Sequence, residues 1–262
     1  MVIEAAQVRS NRPLASDMYA LEMTAPAIAA AVQPGQFVNI LIDEGWSPLL
    51  RRPMSVASRA GDTLGLIYKI VGPGTHVMAS WQAGATVNLM GPLGNGWELA
   101  EGLYPVLLAG GVGVAPISYL HDELQSKGIE HQLVMGARSR NQHYLDHTPE
   151  KGITLTTDDG SQGIQGSVLA GLEAVVAGLG DTELAVYGCG PPPMLRAVRS
   201  YVEERGMACQ LAMETMMACG FGFCQGCSIK MAGQFDSGVP SYRERFKLAC
   251  LDGPVFRADE LA

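Results

Sequence analysis

The cysteines of this chain are unevenly distributed, and their spacing constrains how its C-terminal end can fold. Four of the six lie in the last 44 residues, and Cys219, Cys224 and Cys227 follow the pattern C-x4-C-x2-C. The fourth, Cys250, comes after a gap of 22 residues that follows Cys227. In a reducing compartment, clustered cysteines bind metal or react more often than they form disulfides. We therefore expect a tight loop that presents three thiols and a separate segment that brings the fourth thiol to them.

This spacing is that of plant-type ferredoxins, in which four thiolates hold the two irons of a [2Fe-2S] cluster. Three glycines within the loop let the backbone curl and aim N–H groups at the sulfurs. Structural zinc is the alternative, but zinc usually takes cysteines in two closely spaced pairs, and a second pair is missing here. The predicted cluster ligands are Cys219, Cys224, Cys227 and Cys250. We interpret Cys209 as a small buried side chain.

Composition limits the classes of protein to which the chain can belong. Its 262 residues are enough for two or three domains. The formal net charge is −8 and no block of Lys and Arg stands out, which argues against a nucleic-acid surface. No stretch of about 18 apolar residues indicates a membrane span, and the N-terminus lacks a signal-peptide pattern. We expect a cytoplasmic protein without nucleic-acid or membrane partners.

The pattern of apolar segments and turns changes twice along the chain. Residues 1–100 contain short apolar segments separated by Gly/Pro turns, such as Pro34-Gly35 and Gly91-Pro92, which predict a small antiparallel barrel. Residues 101–207 alternate strand-like and helix-like segments, which predict a parallel sheet of βαβ units. Residues 208–262 are rich in cysteines and turns and form the third predicted unit. The clearest strand predictions are 37–42, 64–71, 86–90, 105–109, 132–135, 153–156 and 183–187, and the helix predictions are 115–127, 167–177 and 192–205.

Two short motifs in the first unit predict a phosphate-bearing cofactor. Arg51–Ser55 joins two strand-like segments, and an arginine there can form a forked pair of bonds to a pyrophosphate. Gly72–Thr75 is predicted to make a tight turn whose exposed amides form an anion-binding nest. The first motif alone is weak, because Arg-Pro pairs also occur in ordinary turns. Together the two motifs indicate one surface that holds the cofactor.

A second nucleotide site is predicted in the α/β unit. Ala109–Pro116 follows a buried strand and opens a helix, a context that favours a pyrophosphate at the helix N-terminus. Tyr187–Pro191 ends the last strand, at the edge where open α/β sheets bind ligands. Cys189 could lie beside a nicotinamide ring or could be a small buried residue. Thr157–Ser161 could face the adenosine end of a nucleotide, although we favour a simple turn.

The order of these motifs resembles the ferredoxin–NADP reductase superfamily, and more closely its branch of dihydroorotate dehydrogenase B electron-transfer subunits. Gly91–Gly96 and the tail from Cys250 to Phe256 are the most specific parts of the resemblance. It implies a Greek-key β barrel for FAD, an α/β domain for NAD and a terminal [2Fe-2S] domain. The residues that it places at FAD are Arg52, Pro53, Met54, Ser55, Ile67, Tyr68, Lys69, Gly74 and Thr75. Those predicted for NAD are Gly110, Gly111, Gly113, Cys189, Gly190 and Pro191.

The resemblance also implies a partner and a route for electrons. The partner would be an FMN-containing catalytic subunit that oxidises dihydroorotate to orotate, in a heterotetramer of two plus two chains. Electrons would pass from that FMN through the cluster and FAD to NAD⁺. The gap before Cys250 is longer than the family pattern, and we interpret Met231–Leu248 as a lengthened loop at the partner interface. The alternatives are a small subunit of an NAD(P)-linked ferredoxin oxidoreductase or sulfhydrogenase and, remotely, a zinc-stabilised binding module.

Overall fold

Six antiparallel strands close into a barrel in the N-terminal part of the chain. The computed structural model describes residues 1–42, 50–233 and 241–262. The strands are β1 (Val2–Ala15), β2 (Met18–Thr24), β3 (Phe37–Leu41), β4 (Arg52–Ala60), β5 (Thr63–Lys69) and β6 (Thr86–Leu93). Their order around the barrel is β1-β2-β5-β4-β3-β6, so the consecutive hairpins β3-β4-β5 return beside β2 in a Greek key. Two short helices, α1 (Pro26–Ala29) and α2 (Pro73–Ala79), connect the strands.

The barrel interior is aliphatic. Leu21, Ile40, Leu64 and Leu89 are completely buried there, and each contributes roughly 1.5–3 kcal/mol of transfer free energy relative to an exposed side chain. Two local predictions in this region were wrong. Arg52–Ser55 is not a connection but the first half of β4, and Gly91-Pro92 lies inside β6 rather than in a turn.

The second part of the chain is a seven-stranded sheet with helices on both faces. The strands are β7 (Tyr104–Gly110), β8 (Gln132–Ala137), β9 (Ile153–Thr157), β10 (Ile164–Gln165), β11 (Leu184–Cys189), β12 (Ala208–Ala212) and β15 (Val255–Arg257), and the helices are α3 (Val114–Ser126), α4 (Val168–Leu179) and α5 (Pro192–Glu204). The order is β10-β9-β8-β7-β11-β12-β15, with parallel pairs except for the last. Successive residues of β7 point to opposite faces of the sheet. Leu107 packs into the core on the α3 side, and Leu108 packs into the core on the other side.

The remaining elements surround the cysteine loop and tie it to the sheet. The two-stranded sheet of β13 (Ser228–Lys230) and β14 (Phe246–Leu248) follows the loop, with α6 (Tyr242–Arg245) just before β14. The chain then returns to the edge of the large sheet as β15. The division into 1–100, 101–207 and 208–262 stays a proposal, with one refinement. The large sheet crosses the last boundary, because Ala208–Ala212 is one of its strands.

The barrel and the α/β part share an interface along α3. Tyr119 of α3 donates a hydrogen bond to the carbonyl of Val32 (3.2 Å) and accepts one from Arg59 Nε (3.1 Å). A backbone bond from Ser16 N–H to the Asn141 carbonyl (2.9 Å) joins the same two parts. Within the described parts of the chain, we find no helix of the length and apolarity that a membrane crossing requires.

Candidate cofactor sites

The cysteine loop curls tightly at the C-terminal end of the molecule. Gly220, Gly222 and Gln225 have positive φ angles of 80°, 86° and 56°. Glycine adopts this region without steric cost, which explains two of the three positions. A Cβ on Gly220 would also collide with Asn39 of β3. The glycine after Cys219 therefore lets the loop lie directly against Asn39 of the barrel.

The four predicted ligand cysteines come together as two pairs. Cys227 Sγ lies 3.2 Å from Cys250 Sγ. The side chains of Cys219 and Cys224 interact with each other, and the Cys224 N–H also donates to Cys219 Sγ at 3.4 Å. The Gly222 N–H donates to Cys250 Sγ at 3.1 Å. Among the described residues, no three His, Cys, Asp or Glu side chains converge as ligands of a single metal ion. Two pairs of thiols with backbone donors aimed at the sulfurs suit the two irons of a [2Fe-2S] cluster.

The ionisation of these thiols shows what the site requires. Burial raises the pKa of Cys219, but N–H groups of Cys224 and Phe221 outweigh burial and bring the pKa to about 7. Burial, followed by the neighbouring Cys227, raises the pKa of Cys250 to about 12. Thiolates this close to one another repel, so all four ionise together only beside bound cations. Iron ions supply that charge, and the donor set fits the predicted cluster.

Cys250 is held at the site by the turn that follows β14. The carboxylate of Asp252 fixes this turn, because it accepts a bond from the Leu248 N–H at 2.7 Å and pairs with Arg243 at 3.2 Å. The Ala249 N–H donates to the Cys227 carbonyl at 2.9 Å. The described residues at the two ends of the long gap before Cys250 therefore pair with each other next to the cysteine loop. The loop predicted for a partner interface falls partly on residues 234–240, which lie outside the described residues.

Two asparagines that the sequence analysis missed attach the cluster segment to the barrel. Asn39 Nδ2 donates to the Cys219 carbonyl at 2.9 Å. Asn95 Nδ2 donates to the Asp252 carbonyl at 3.0 Å, and the Asn95 N–H bonds to the Gly253 carbonyl. A single polar residue within the apolar run of β3 was the available signal for Asn39. The Gly91–Gly96 motif thus serves as the contact between barrel and cluster segment.

The predicted flavin residues Arg52, Gly74 and Thr75 come together at the start of α2. A Cβ on Gly74 would lie 3.1 Å from Arg52 Nε, so the glycine leaves room for the arginine. Thr75 Oγ1 accepts bonds from the N–H groups of Val71 (2.9 Å) and Gly72 (3.2 Å). The predicted tight turn was wrong, because Pro73–Ala79 is a helix; the anion-binding role of this segment stays a prediction. A cation beside a helix N-terminus still fits the pyrophosphate of FAD.

The rest of the predicted flavin segment lies along β4 and β5. Pro53, Met54 and Ser55 follow Arg52 on β4 and pair with β3. On β5, Tyr68 points into the barrel core and donates to Asn11 Oδ1 at 3.0 Å. Burial raises the pKa of this tyrosine to about 12. The Tyr68 side chain is therefore part of the barrel, and only its backbone could reach a flavin.

Ile67 and Lys69 flank Tyr68 and face away from the barrel core. Ile67 packs against the α/β core on the α3 side. Lys69 reaches a cavity of about 500 Å³ that lies between the barrel and the carboxyl ends of the parallel strands. This volume is within the range of small-molecule and cofactor sites.

The cavity contains the predicted glycine loop. Gly110 and Gly111 line it together with Pro191, the residue directly before α5. A Cβ on Gly110 would collide with Met194, and a Cβ on Gly113 would collide with the Cys189 carbonyl. Gly113 therefore lets the loop after β7 lie against the end of β11, and Gly110 leaves room for the Met194 side chain of α5. A loop with exposed amides at the start of α3 is suited to a dinucleotide pyrophosphate.

Cys189 and Gly190 lie beneath this loop rather than on the cavity wall. Burial strongly raises the pKa of the Cys189 thiol, and the carboxylate of Glu214 adds to the effect. The thiol is therefore protonated near neutral pH. Burial also raises the pKa of Glu214, a residue that the sequence analysis missed. The predicted place of Cys189 beside a nicotinamide ring stays a prediction.

Barrel, nucleotide-type sheet and cysteine loop together define a ferredoxin reductase-like oxidoreductase with an iron–sulfur segment. Residues 107–200 match the oxidoreductase NAD-binding domain. Residues 214–262 match the iron–sulfur cluster binding domain of dihydroorotate dehydrogenase B. The second match decides against the zinc-stabilised binding module.

Full-length relatives identify the family. The chain is 34% identical to the dihydroorotate dehydrogenase B (NAD(+)) electron transfer subunit of Caldanaerobacter subterraneus subsp. tengcongensis, over 98% of this chain and 97% of the relative. It is 36% identical to the subunit of the same name from Bacillus caldolyticus, over 98% of each chain. The chain belongs to the family of dihydroorotate dehydrogenase B electron transfer subunits. The predictions of an NAD-linked oxidoreductase subunit with FAD and a [2Fe-2S] cluster are confirmed at the level of the family.

Solved structures agree with this assignment. An NADH-dependent reduced ferredoxin-NADP oxidoreductase structure matches with a TM-score of 0.82 and 26% identity, over 99% of this chain and 90% of that chain. A ferredoxin NADP⁺ reductase from Neisseria gonorrhoeae matches with a TM-score of 0.65 and 17% identity, over 82% of this chain and 95% of that chain. The latter likeness shows the fold alone. The predicted multi-domain architecture of barrel, parallel sheet and cluster segment is confirmed.

Proposed function

We propose that this chain passes electrons from the FMN of a catalytic subunit, through its [2Fe-2S] cluster and FAD, to NAD⁺ during oxidation of dihydroorotate to orotate. The observation that carries the proposal is the position of Asn39. Its side chain holds the carbonyl of Cys219, and its backbone pairs with Pro53 of the predicted flavin strand. One residue thus links the predicted cluster ligands to the predicted flavin segment.

The residues of the chain have separable tasks in this proposal. A bound flavin exchanges electrons singly with an iron–sulfur cluster and in pairs with a nicotinamide. Arg52 and the start of α2 would hold the flavin pyrophosphate, and Pro53–Ser55 would contact the flavin from β4. Gly110 and Gly111 let the dinucleotide approach the start of α3 closely. The neutral thiol of Cys189 keeps the junction between the sites free of a thiolate charge.

The partner is proposed to dock on exposed apolar side chains around the cysteine loop. Phe223 is 83% exposed, and its ring lies 6.5 Å from that of Phe221. Met216, just before the loop, is 90% exposed, and Leu251, which lies beside Gly222, is also exposed. Exposed apolar clusters of this kind mark interaction surfaces. A complex of two plus two chains in the cytoplasm is part of this proposal.

The test is reconstitution with the FMN-containing catalytic subunit from the same organism. The expected result is formation of NADH from dihydroorotate and NAD⁺ only when both subunits are present. The purified chain should show flavin absorption bands and the broad visible shoulder of a [2Fe-2S] cluster. A fully loaded chain that binds this catalytic subunit but forms no NADH would contradict the proposed reaction.

A second candidate function is that of a small subunit in an NAD(P)-linked ferredoxin oxidoreductase. The match to the ferredoxin-NADP oxidoreductase structure, which covers nearly the whole chain, favours it as the alternative. The two functions differ in the electron donor. Reduced ferredoxin replaces dihydroorotate and the catalytic subunit in a parallel assay. Rapid NADH formation from ferredoxin, with none from dihydroorotate, would establish the alternative.

A further inference from the structure

The cavity at the strand ends extends beyond the glycine loop to a second, polar end. This polar end consists of Arg138, Gln142, His143 and Asp158. They follow β8 and β9, the two strands next to β7 on the side away from β11. Neighbouring strands are about 4.8 Å apart, so Asp158 lies roughly 10 Å from the strand that carries the glycine loop. A nucleotide with its pyrophosphate at the loop would extend its adenosine toward this end.

Two of the four polar side chains already make hydrogen bonds to backbone groups. Gln142 Oε1 accepts a bond from the Arg138 N–H at 3.0 Å. His143 Nε2 bonds to the Thr156 carbonyl at 3.0 Å, and burial lowers the pKa of this ring. His143 is therefore neutral near pH 7 and adds no charge to the cavity. The charges that remain are those of the Asp158 carboxylate and the Arg138 guanidinium, neither of which has an ion pair within residues 1–42, 50–233 and 241–262.

Asp158 is held in place by its backbone, while its carboxylate is left for a ligand. The Asp158 N–H donates to the Ala137 carbonyl at 3.1 Å, which ties the end of β9 to the end of β8. The next residue, Asp159, has a different task, because its Oδ1 accepts bonds from the N–H (3.0 Å) and Oγ (2.6 Å) of Ser161. Of two adjacent aspartates, one therefore closes the turn and the other lines the cavity.

We propose that Asp158 selects the unphosphorylated dinucleotide, by accepting hydrogen bonds from the adenosine ribose hydroxyls and repelling a 2′-phosphate. This inference rests on the proposed function, in which the cavity takes NAD. An ionised carboxylate accepts bonds but donates none, so it suits hydroxyl groups and disfavours a phosphate dianion. Arg138 at the same end of the cavity has the opposite preference, and the choice of the wild type between the two ligands decides which side chain dominates. Lys69 enters the same cavity from the barrel side.

The test measures binding directly and does not depend on turnover. Adenosine diphosphate ribose and its 2′-phosphate derivative are titrated calorimetrically into the purified holo-protein. We compare the wild type with Asp158→Asn and with Asp159→Asn, which removes the same charge one residue away but keeps the acceptor for Ser161. Loss of a charge-assisted bond predicts roughly tenfold weaker binding of adenosine diphosphate ribose to Asp158→Asn. The preference over the 2′-phosphate should shrink by at least the same factor, and Asp159→Asn should match the wild type.

The outcomes separate this inference from the proposed function. If the wild type binds adenosine diphosphate ribose and Asp158→Asn retains both affinity and preference, Asp158 is not the selecting residue and the nucleotide site stands. A wild type that prefers the 2′-phosphate would also overturn the inference and would assign the polar end to Arg138. If the wild type binds neither compound, the nucleotide assignment of the cavity fails, and the proposed function fails with it.

Discussion

At the scale of single residues, Asn39 connects the cysteine loop to the barrel. Its Nδ2 bond to the Cys219 carbonyl is made from a buried position, and its Oδ1 has no partner among the described residues. Asn39→Ala removes the donor and leaves that carbonyl without it, at a cost of about 1–3 kcal/mol. We expect the visible cluster absorption to decay faster in Asn39→Ala under air or mild denaturant.

Asn11→Ala is the matched control for this prediction. Asn11 also bonds a backbone carbonyl from a part-buried position, through Nδ2 to the Met78 carbonyl at 2.8 Å, but it lies within the barrel. The control should lower the unfolding temperature without a specific loss of the cluster. Equal rates of cluster decay in both variants would remove Asn39 from its proposed place at the cluster.

The cysteines were predictable from sequence because their chemistry depends on residue type and spacing. Asn39 and Asn95 were not, because their task depends on which carbonyl lies opposite in the folded chain. Tyr68 shows a related limit. Its neighbours Ile67 and Lys69 face away from the barrel core, and strand alternation then turns Tyr68 inward, yet the resemblance carried over all three as a group.

At the scale of elements, the junction of β7 and β11 depends on Gly113. A Cβ there would collide with the Cys189 carbonyl, and backbone cannot move aside as a flexible side chain can. Gly113→Ala should destabilise the fold by about 1–3 kcal/mol and weaken NAD binding. Gly178→Ala is the control, because this helical glycine of α4 has nothing within 4 Å, and there alanine should stabilise by about 0.5–1 kcal/mol. Denaturant unfolding measures both; an unchanged Gly113→Ala midpoint would contradict the close approach.

Helix α3 and the start of β8 are joined by a pair of histidines with a predicted pH response. His121 Nδ1 lies 2.7 Å from His131 Nε2, and His131 Nδ1 bonds to the Ile129 carbonyl. Burial, followed by His131, lowers the pKa of His121 to about 4. In the unfolded chain, the pKa of His121 has its ordinary value of about 6.5. Between about pH 4 and about pH 6.5, the unfolded chain therefore binds a proton at His121 that the folded protein does not bind. Stability should therefore fall as the pH drops from about 6.5 toward 4.

The measurement compares the unfolding midpoint at about pH 7 and about pH 5, on either side of the ordinary histidine pKa. Other groups also titrate in this range, so the informative quantity is the difference between variants. His121→Asn should lose less stability than the wild type on acidification, and His76→Asn, at an exposed histidine of α2, should follow the wild type. A pH response that is identical in all three proteins would show that His121 does not carry the effect.

The elements of the sheet were predicted within a few residues because apolar strands and amphipathic helices alternate there. The barrel was harder. Arg52–Ser55 and Gly91-Pro92 have the composition of turns, but pairing with β3 and with β1 makes them strands. Tertiary pairing overrides local preference at such positions. The two ends of the cluster segment join the large sheet as β12 and β15. No local sequence pattern predicted that these segments pair with the sheet.

At the scale of the whole molecule, the apolar side chains around the cysteine loop are the proposed docking surface for the partner subunit. Phe223 is the sharpest probe, because it is 83% exposed and its removal disturbs little of the chain's own packing. Phe223→Asp places a charge where a desolvated contact is proposed, and a central aromatic anchor commonly contributes about 2 kcal/mol or more, so we expect at least about thirtyfold weaker binding of the catalytic subunit. Phe223→Leu keeps an apolar side chain and should retain most of the affinity.

The flavin and cluster spectra, and NADH oxidation with an artificial acceptor, should be unchanged in both variants, so that only dihydroorotate-dependent NAD⁺ reduction is lost in Phe223→Asp. Wild-type binding by Phe223→Asp would move the interface away from the cysteine loop.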